Sequence, residues 1–232
     1  MSIYKHGIST TRKPTALTAP LTSSANVTVV IGTAPVNMCS DPYHAANIPI
    51  AAYTKQDVIS KVGWSEDFKK YTIMQSAYAA FHVFAVAPLV MINVLDPNNE
   101  NHICAVTATT YDVVNKKTVV PVEGILMDTI EISTSDTNEI LEADTDYVTS
   151  FADDGTVIVG FTTTGTSKAG SSVMIAYTKL NPDGVSYTDI IGGYNVSTKT
   201  KKGFEVIGDI FPKLGIIPGT LIAPGFSHNS AV

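Results

Sequence analysis

Glu142, Asp144 and Asp146 come nearest, by type and spacing, to a chemical site. Alternating along the chain, they would project from one face of a strand and offer a hard cation such as calcium its preferred oxygen ligands. No Asp-x-Asp-x-Asp-Gly loop surrounds them, so a solvated acidic face is the favoured reading. The five histidines, His6, His44, His82, His102 and His228, form no i, i+4 pair and no metal-ligand cluster with Cys39 or Cys104. His82 falls in an apolar stretch, where a satisfied core histidine is expected. Gly32-Thr33-Ala34-Pro35 follows a strand-like run but lacks a Gly-x-Gly-x-x-Gly or a Gly-Lys-Ser/Thr to cradle phosphate. Ser227 is not in a Gly-x-Ser-x-Gly elbow. No catalytic, cofactor-binding or metal-binding residue is therefore assigned.

Composition narrows the classes. A chain of 232 residues with a charged fraction of 16% and a net charge of -6 argues against a general nucleic-acid binder. The two cysteines are far apart and fit no metal or redox spacing. No stretch has the length of a membrane span, and the N-terminus lacks the apolar centre of a signal peptide. Charge is unevenly placed. Between Lys117 and Lys168 there is no basic residue, while Glu123, Asp128, Glu131, Asp136, Glu139, Glu142, Asp144, Asp146, Asp153 and Asp154 all fall there. Residues 1–40 hold Lys5, Arg12 and Lys13 and no acid. Blocks of opposite sign suggest parts with different surroundings.

The stretch from Thr72 to Asp96 supplies the scaffold. Thr72-x-x-Gln75 has the form of a capping box, and apolar residues recur at Ile73, Met74, Ala77, Tyr78, Ala80, Phe81, Phe84 and Ala85. That face is too broad for a surface helix, so an enclosed helix stopped by Pro88 is expected. Leu89–Leu95 is a short continuous apolar run, which predicts a central strand covered on both faces. Val27–Gly32 and Thr220–Gly225 read as further strands, and Pro49–Tyr53 as a short one. Thr54 is expected to cap a helix through Lys61, ended by Gly63. A third helix is expected over about Lys202–Phe211.

Between these parts the texture is β. Ala105–Val114, Lys117–Val122, Ile130–Ile132 and Ser171–Thr178 read as strands, and Tyr147–Phe161 as a hairpin turning at Asp154-Gly155. The expected architecture is α/β, a mixed open sheet with helices, carrying an inserted small all-β sandwich or barrel. Residues 1–24 would be an extended arm, 25–99 and 185–232 a discontinuous and incomplete core, and 100–184 the insert.

Three stretches then acquire a common meaning: Tyr4-Lys5-His6-Gly7-Ile8, Val29-Val30-Ile31-Gly32-Thr33-Ala34-Pro35-Val36-Asn37, and the segment from Gly203-Phe204-Glu205-Val206-Ile207 through Phe211–Gly219 to Ala223-Pro224-Gly225-Phe226-Ser227. Together they resemble the tail sheath protein of contractile-tailed bacteriophages and related prophage injection devices. The resemblance implies a non-catalytic structural protein without cofactors, nucleic acid or a small-molecule substrate. Its partners would be copies of itself in stacked hexameric rings, a tail tube protein and a baseplate. Its place would be the virion tail, assembled in the bacterial host cytoplasm. It also implies that the arm residues Ile3, Tyr4, Lys5, His6, Gly7 and Ile8 add a strand to a neighbouring subunit, and that the insert faces outward. The resemblance covers only the first half of a usual sheath subunit. Two other classes remain beside it: a calcium- or carbohydrate-binding module using the acidic β-part, and an α/β enzyme using the strand ends near Gly32 and Asp96.

Overall fold

The computed structural model describes residues 26–232; the expected arm at 1–24, including Ile3–Ile8, lies outside them. In chain order the strands are β1 (Val27–Gly32), β2 (Pro49–Ala52), β3 (Leu89–Asn93), β4 (Ile103–Asp112), β5 (Lys117–Val120), β6 (Glu131–Thr134), β7 (Tyr147–Phe151), β8 (Val157–Phe161), β9 (Ser172–Leu180), β10 (Gly193–Asn195), β11 (Thr200–Lys202) and β12 (Pro218–Ile222). The helices are α1 (Lys55–Val62), α2 (Thr72–Tyr78), α3 (Thr163–Ala169), α4 (Tyr187–Ile191) and α5 (Ile210–Leu214). The protein mixes helix with several small sheets and is broadly α/β.

The apolar run at Leu89–Asn93 does form an interior strand. The largest sheet has the order β12-β1-β3-β2, with β1 parallel to both β12 and β3 and β2 antiparallel to β3. Every residue of β3 is buried, as continuous apolar strands between covering layers are. Val29, Val30 and Ile31 of β1 join Met91 and Ile92 in one cluster with Ile73, Met74, Val58 and Val62 of the helices. The helix expected after Thr54 is there: Thr54 accepts from the Asp57 amide, the Asp57 carboxylate accepts from the Thr54 amide, and Gly63 ends the helix at φ 79°.

The capping box expected at Thr72 does not form. Tyr71 is the cap and makes no side-chain bond, while Thr72 pairs with Thr33 instead. The Thr33 amide donates to Thr72 Oγ1 at 3.2 Å and the Thr72 amide donates to Thr33 Oγ1 at 3.0 Å. This reciprocal pair ties the helix start to the end of β1 and wins because it satisfies two buried amides from distant parts of the chain. The enclosed helix expected up to Pro88 is also corrected. After α2 the backbone widens into a π-helical turn at Ala79–Val83, and Ala85 takes φ 51°. The inner half is buried, but Val83, Phe84 and Val86 are not. Likewise the helix expected over Lys202–Phe211 is a 3-10 turn, Gly203–Asp209, leading into α5.

The remaining strands form two three-stranded antiparallel sheets, β4-β9-β6 and β5-β8-β7, and a separate β10-β11 hairpin. Val120, Ile132, Val157, Val159, Val173 and Ile175 come from both sheets and share one buried cluster. Burial alternates along β8 and β9, the period-2 pattern of strands with one face inward. The hairpin expected at Tyr147–Phe161 is present, with Gly155 at φ 80° in its turn. This region is not purely strand, since Thr162 caps α3 by accepting from the Gly165 amide.

Candidate interaction surface

The two edges of the four-stranded sheet differ in their local chemistry. β2 opens with Pro49, and its Ala51 carbonyl accepts a bond from Lys61 Nζ at 2.7 Å. A proline and a lysine are standard ways of denying an edge to another chain. On the opposite side β12 also opens with a proline, Pro218, but carries no charged residue, and Gly219, Thr220 and Leu221 are exposed. β12 is held from one side by β1 alone, with the Val27 amide donating to the Ile217 carbonyl at 3.3 Å. Its other side is free among the described residues, a row of backbone groups that pair only with water or another strand.

Beside this edge lies an uncovered apolar surface. Val83 is 57% exposed, Phe84 70% and Val86 58%. A groove of about 500 Å³ runs between the π-turn and the sheet, lined by Asn26, Ala80, Phe84, Val86, Leu89 and Ile222. A second of about 500 Å³ shares Ser76, Ala79 and Ile222 with it and extends to Leu221, Phe204 and Val232. The two form one trough along the outer side of α2, with β12 as its rim. An extended segment laid against β12 would pair with its backbone and place alternate side chains in the trough.

The candidates for conventional chemistry fare differently. Glu142, Asp144 and Asp146 do not share the face of a strand, because the chain turns there and Asp144 takes φ 64°. Asp146 is buried, accepts from the Glu142 amide at 3.1 Å and from Lys168 Nζ at 2.9 Å, and is committed to holding that turn. The Lys168 bond, then the Glu142 amide, lower its pKa. Among the described residues no three His, Cys, Asp or Glu side chains converge to hold a metal ion. His82 is exposed and stacks on Tyr78 at 4.8 Å between ring centroids, contrary to the core placement expected. The helix face carrying it is the one left uncovered. His102 is instead the buried histidine.

Strand ends are where α/β sheets commonly bind ligands; the end near Gly32 is filled by the chain itself, while Asp96 borders a cleft of about 600 Å³ with Asn47, Tyr194 and Lys201. Asn93, fully buried, accepts from the Ala34 and Leu95 amides at 3.0 and 3.1 Å and donates to the Leu95 carbonyl at 2.8 Å. Cys39 and Cys104 are both free, and burial raises the Cys39 thiol pKa, the opposite of an activated nucleophile. Tyr43 donates to Asp128 at 2.8 Å, and burial followed by that carboxylate pushes its pKa up to about 12. With Asn37 Nδ2 donating to the Ile125 carbonyl and Ser65 to Glu123, this bond pins the β-rich region to the four-stranded layer. No helix among the described residues is long and apolar enough to cross a membrane.

Sequence reasoning missed Val83, Phe84 and Val86 as surface residues. Their signal was present in the over-broad apolar face of the Thr72 helix. Such a face calls for two partners, and one need not belong to the same chain. Scans of protein-family models, of curated proteins and of solved structures each return no match to this chain.

Proposed function

We propose that the chain is a structural subunit, or the N-terminal part of one, of a contractile phage or prophage tail sheath. It polymerises around a tail tube and contracts to drive the tube through a bacterial envelope. In this reading residues 25–99 and 185–232 are a discontinuous α/β core, residues 100–184 an inserted β-domain facing outward, and the work is mechanical and not catalytic. The observation that carries the reading is the uncharged β12 edge, exposed beyond Pro218 and bordering the apolar trough. The three stretches that resemble sheath proteins add to it, since two of them surround β1 and β12.

Strand addition suits a sleeve that changes shape. Backbone hydrogen bonds supply affinity that depends little on side-chain register, so subunits can reorient while staying joined. The arm residues Ile3–Ile8 are the proposed donors, and an edge such as β12 the acceptor. A closed ring follows when each copy gives a strand to the next in one rotational sense.

Electron microscopy of the polypeptide from the whole reading frame, mixed with tail tubes, tests the proposal. Striated sleeves or stacked rings are expected; a monodisperse monomer at every concentration contradicts it. The 232 residues alone are expected to make no contractile sleeve. Calorimetric titration with calcium separates the metal-binding alternative, and no heat of binding is expected.

A further inference from the structure

The chain leaves the four-stranded layer after β3 and returns to it after β9, and both crossings run side by side. The Asn181 amide donates to the His102 carbonyl at 2.7 Å, and Asn181 Nδ2 donates to the Asn101 carbonyl at 3.1 Å. Gly184 faces the Asn101 carbonyl so closely that a Cβ there would collide with it. The crossings are therefore clamped backbone to backbone.

The ring of His102 plugs this clamp. It is only 2% exposed, and its Nδ1 accepts from the Asp96 amide at 3.0 Å, on the outgoing crossing. A ring that accepts at Nδ1 carries its neutral-form proton on Nε2. That nitrogen faces Asp189 Oδ2 at 3.7 Å, on α4 of the returning chain, with the Asn99 side-chain Nδ2 alongside at 3.3 Å. Asp189 is itself fixed as acceptor from the Ser186 amide and hydroxyl, both at 2.8 Å. One neutral imidazole thus links the exit from β3 to the helix that follows β9.

We infer that His102 is a proton-operated latch: neutral, it locks the orientation of the paired three-stranded sheets against the four-stranded layer, and protonation releases that lock. Adding a proton at Nδ1 turns the acceptor of the Asp96 amide into a donor. Two N–H groups then face each other and the bond must break. The charged groups around the ring are Asp189 on α4, Asp96 at the end of the β3 exit and Lys202 on β11. Burial lowers the histidine pKa first, the two carboxylates oppose that, and Lys202 adds to it. Because the folded value lies below the unfolded one, this group's contribution to stability is full above the unfolded pKa. It falls as pH drops through the unfolded value, near 6.5, toward the folded one. The bonds from Asn37, Ser65 and Tyr43 stay in place, so release loosens the junction without separating the two regions. The inference stands on this geometry whether or not the sheath reading holds.

Amide hydrogen exchange on the full chain at pH 7.0 and 5.5, corrected for the intrinsic pH dependence of exchange, tests it. Protection at residues 98–103 and 181–185 should fall about tenfold relative to β3 amides in acid. His102→Asn, whose Oδ1 stands where Nδ1 accepts, should keep protection at both pH values. Asp189→Asn removes the nearest carboxylate, lowers the folded histidine pKa further and should deepen the loss of protection at pH 5.5. The latch is overturned if His102→Asn loses protection as wild type does, if Asp189→Asn loses no more protection in acid than wild type, or if the junction stays protected while the His102 ring titrates.

Discussion

The two edges of the four-stranded sheet lie within one small layer yet are finished in opposite ways. At β2 a proline begins the strand and Lys61 takes the Ala51 carbonyl. β12 also begins with a proline, Pro218, but it carries no charge and no lysine takes its carbonyls among the described residues, and the neighbouring apolar surface continues the invitation through Phe84 and Val86. Edges elsewhere are also guarded: β4 is broken by an irregularity between Val106 and Thr109, β5 starts with Lys117, and β6 starts with Glu131. The edge strand β7 is the exception, with neither proline nor charge, so what marks β12 is the apolar trough beside it. On the proposed reading the contrast makes association directional, with β12 and not β2 as the edge that would accept a strand.

Four variants sharpen or break this contrast, and they differ widely in cost. Ile92→Ala, in the buried strand between β1 and β2, should cost about 3–4 kcal/mol in urea melts, since both edges hang from that strand. A loss below about 1 kcal/mol would mean the layer is not the packed centre described above. Thr33→Val should cost about 2 kcal/mol by stranding the buried Thr72 amide, with a loosened α2 and a less defined trough. Thr54→Ala removes the cap of the helix that carries Lys61 to β2 and should cost about 1 kcal/mol. Smallest in stability is Phe84→Ser with Val86→Ser, expected within about 0.5 kcal/mol of wild type because neither side chain is packed in the isolated chain. A large destabilisation there would place these residues in the core and remove half of the contrast.

Much of this arrangement was legible in the sequence, and the failures share a cause. β1, β3 and β12, the Thr54 cap and the Asp154-Gly155 hairpin turn depend on local pattern and were read from it. Thr72 had the correct spacing for a capping box, but Thr33, thirty-nine residues away, competes for the same groups. Glu142, Asp144 and Asp146 alternate in sequence, yet Asp144 in the left-handed region bends the chain and Lys168 draws Asp146 inward. His102 sat among polar neighbours and gave no sign of burial. Only the meeting of two crossings distant in sequence encloses it. The order of strands, and so which edge is bare, is set by long-range pairing that local periodicity does not encode.

Sedimentation velocity across a range of concentrations, comparing wild type with Leu221→Lys and Lys61→Met, tests the directional account most directly. Wild type should self-associate, Leu221→Lys should remain monomeric while folding normally, and Lys61→Met should form larger species as the second edge opens. Equal association of wild type and Leu221→Lys, or a monomeric wild type at all concentrations, would contradict it.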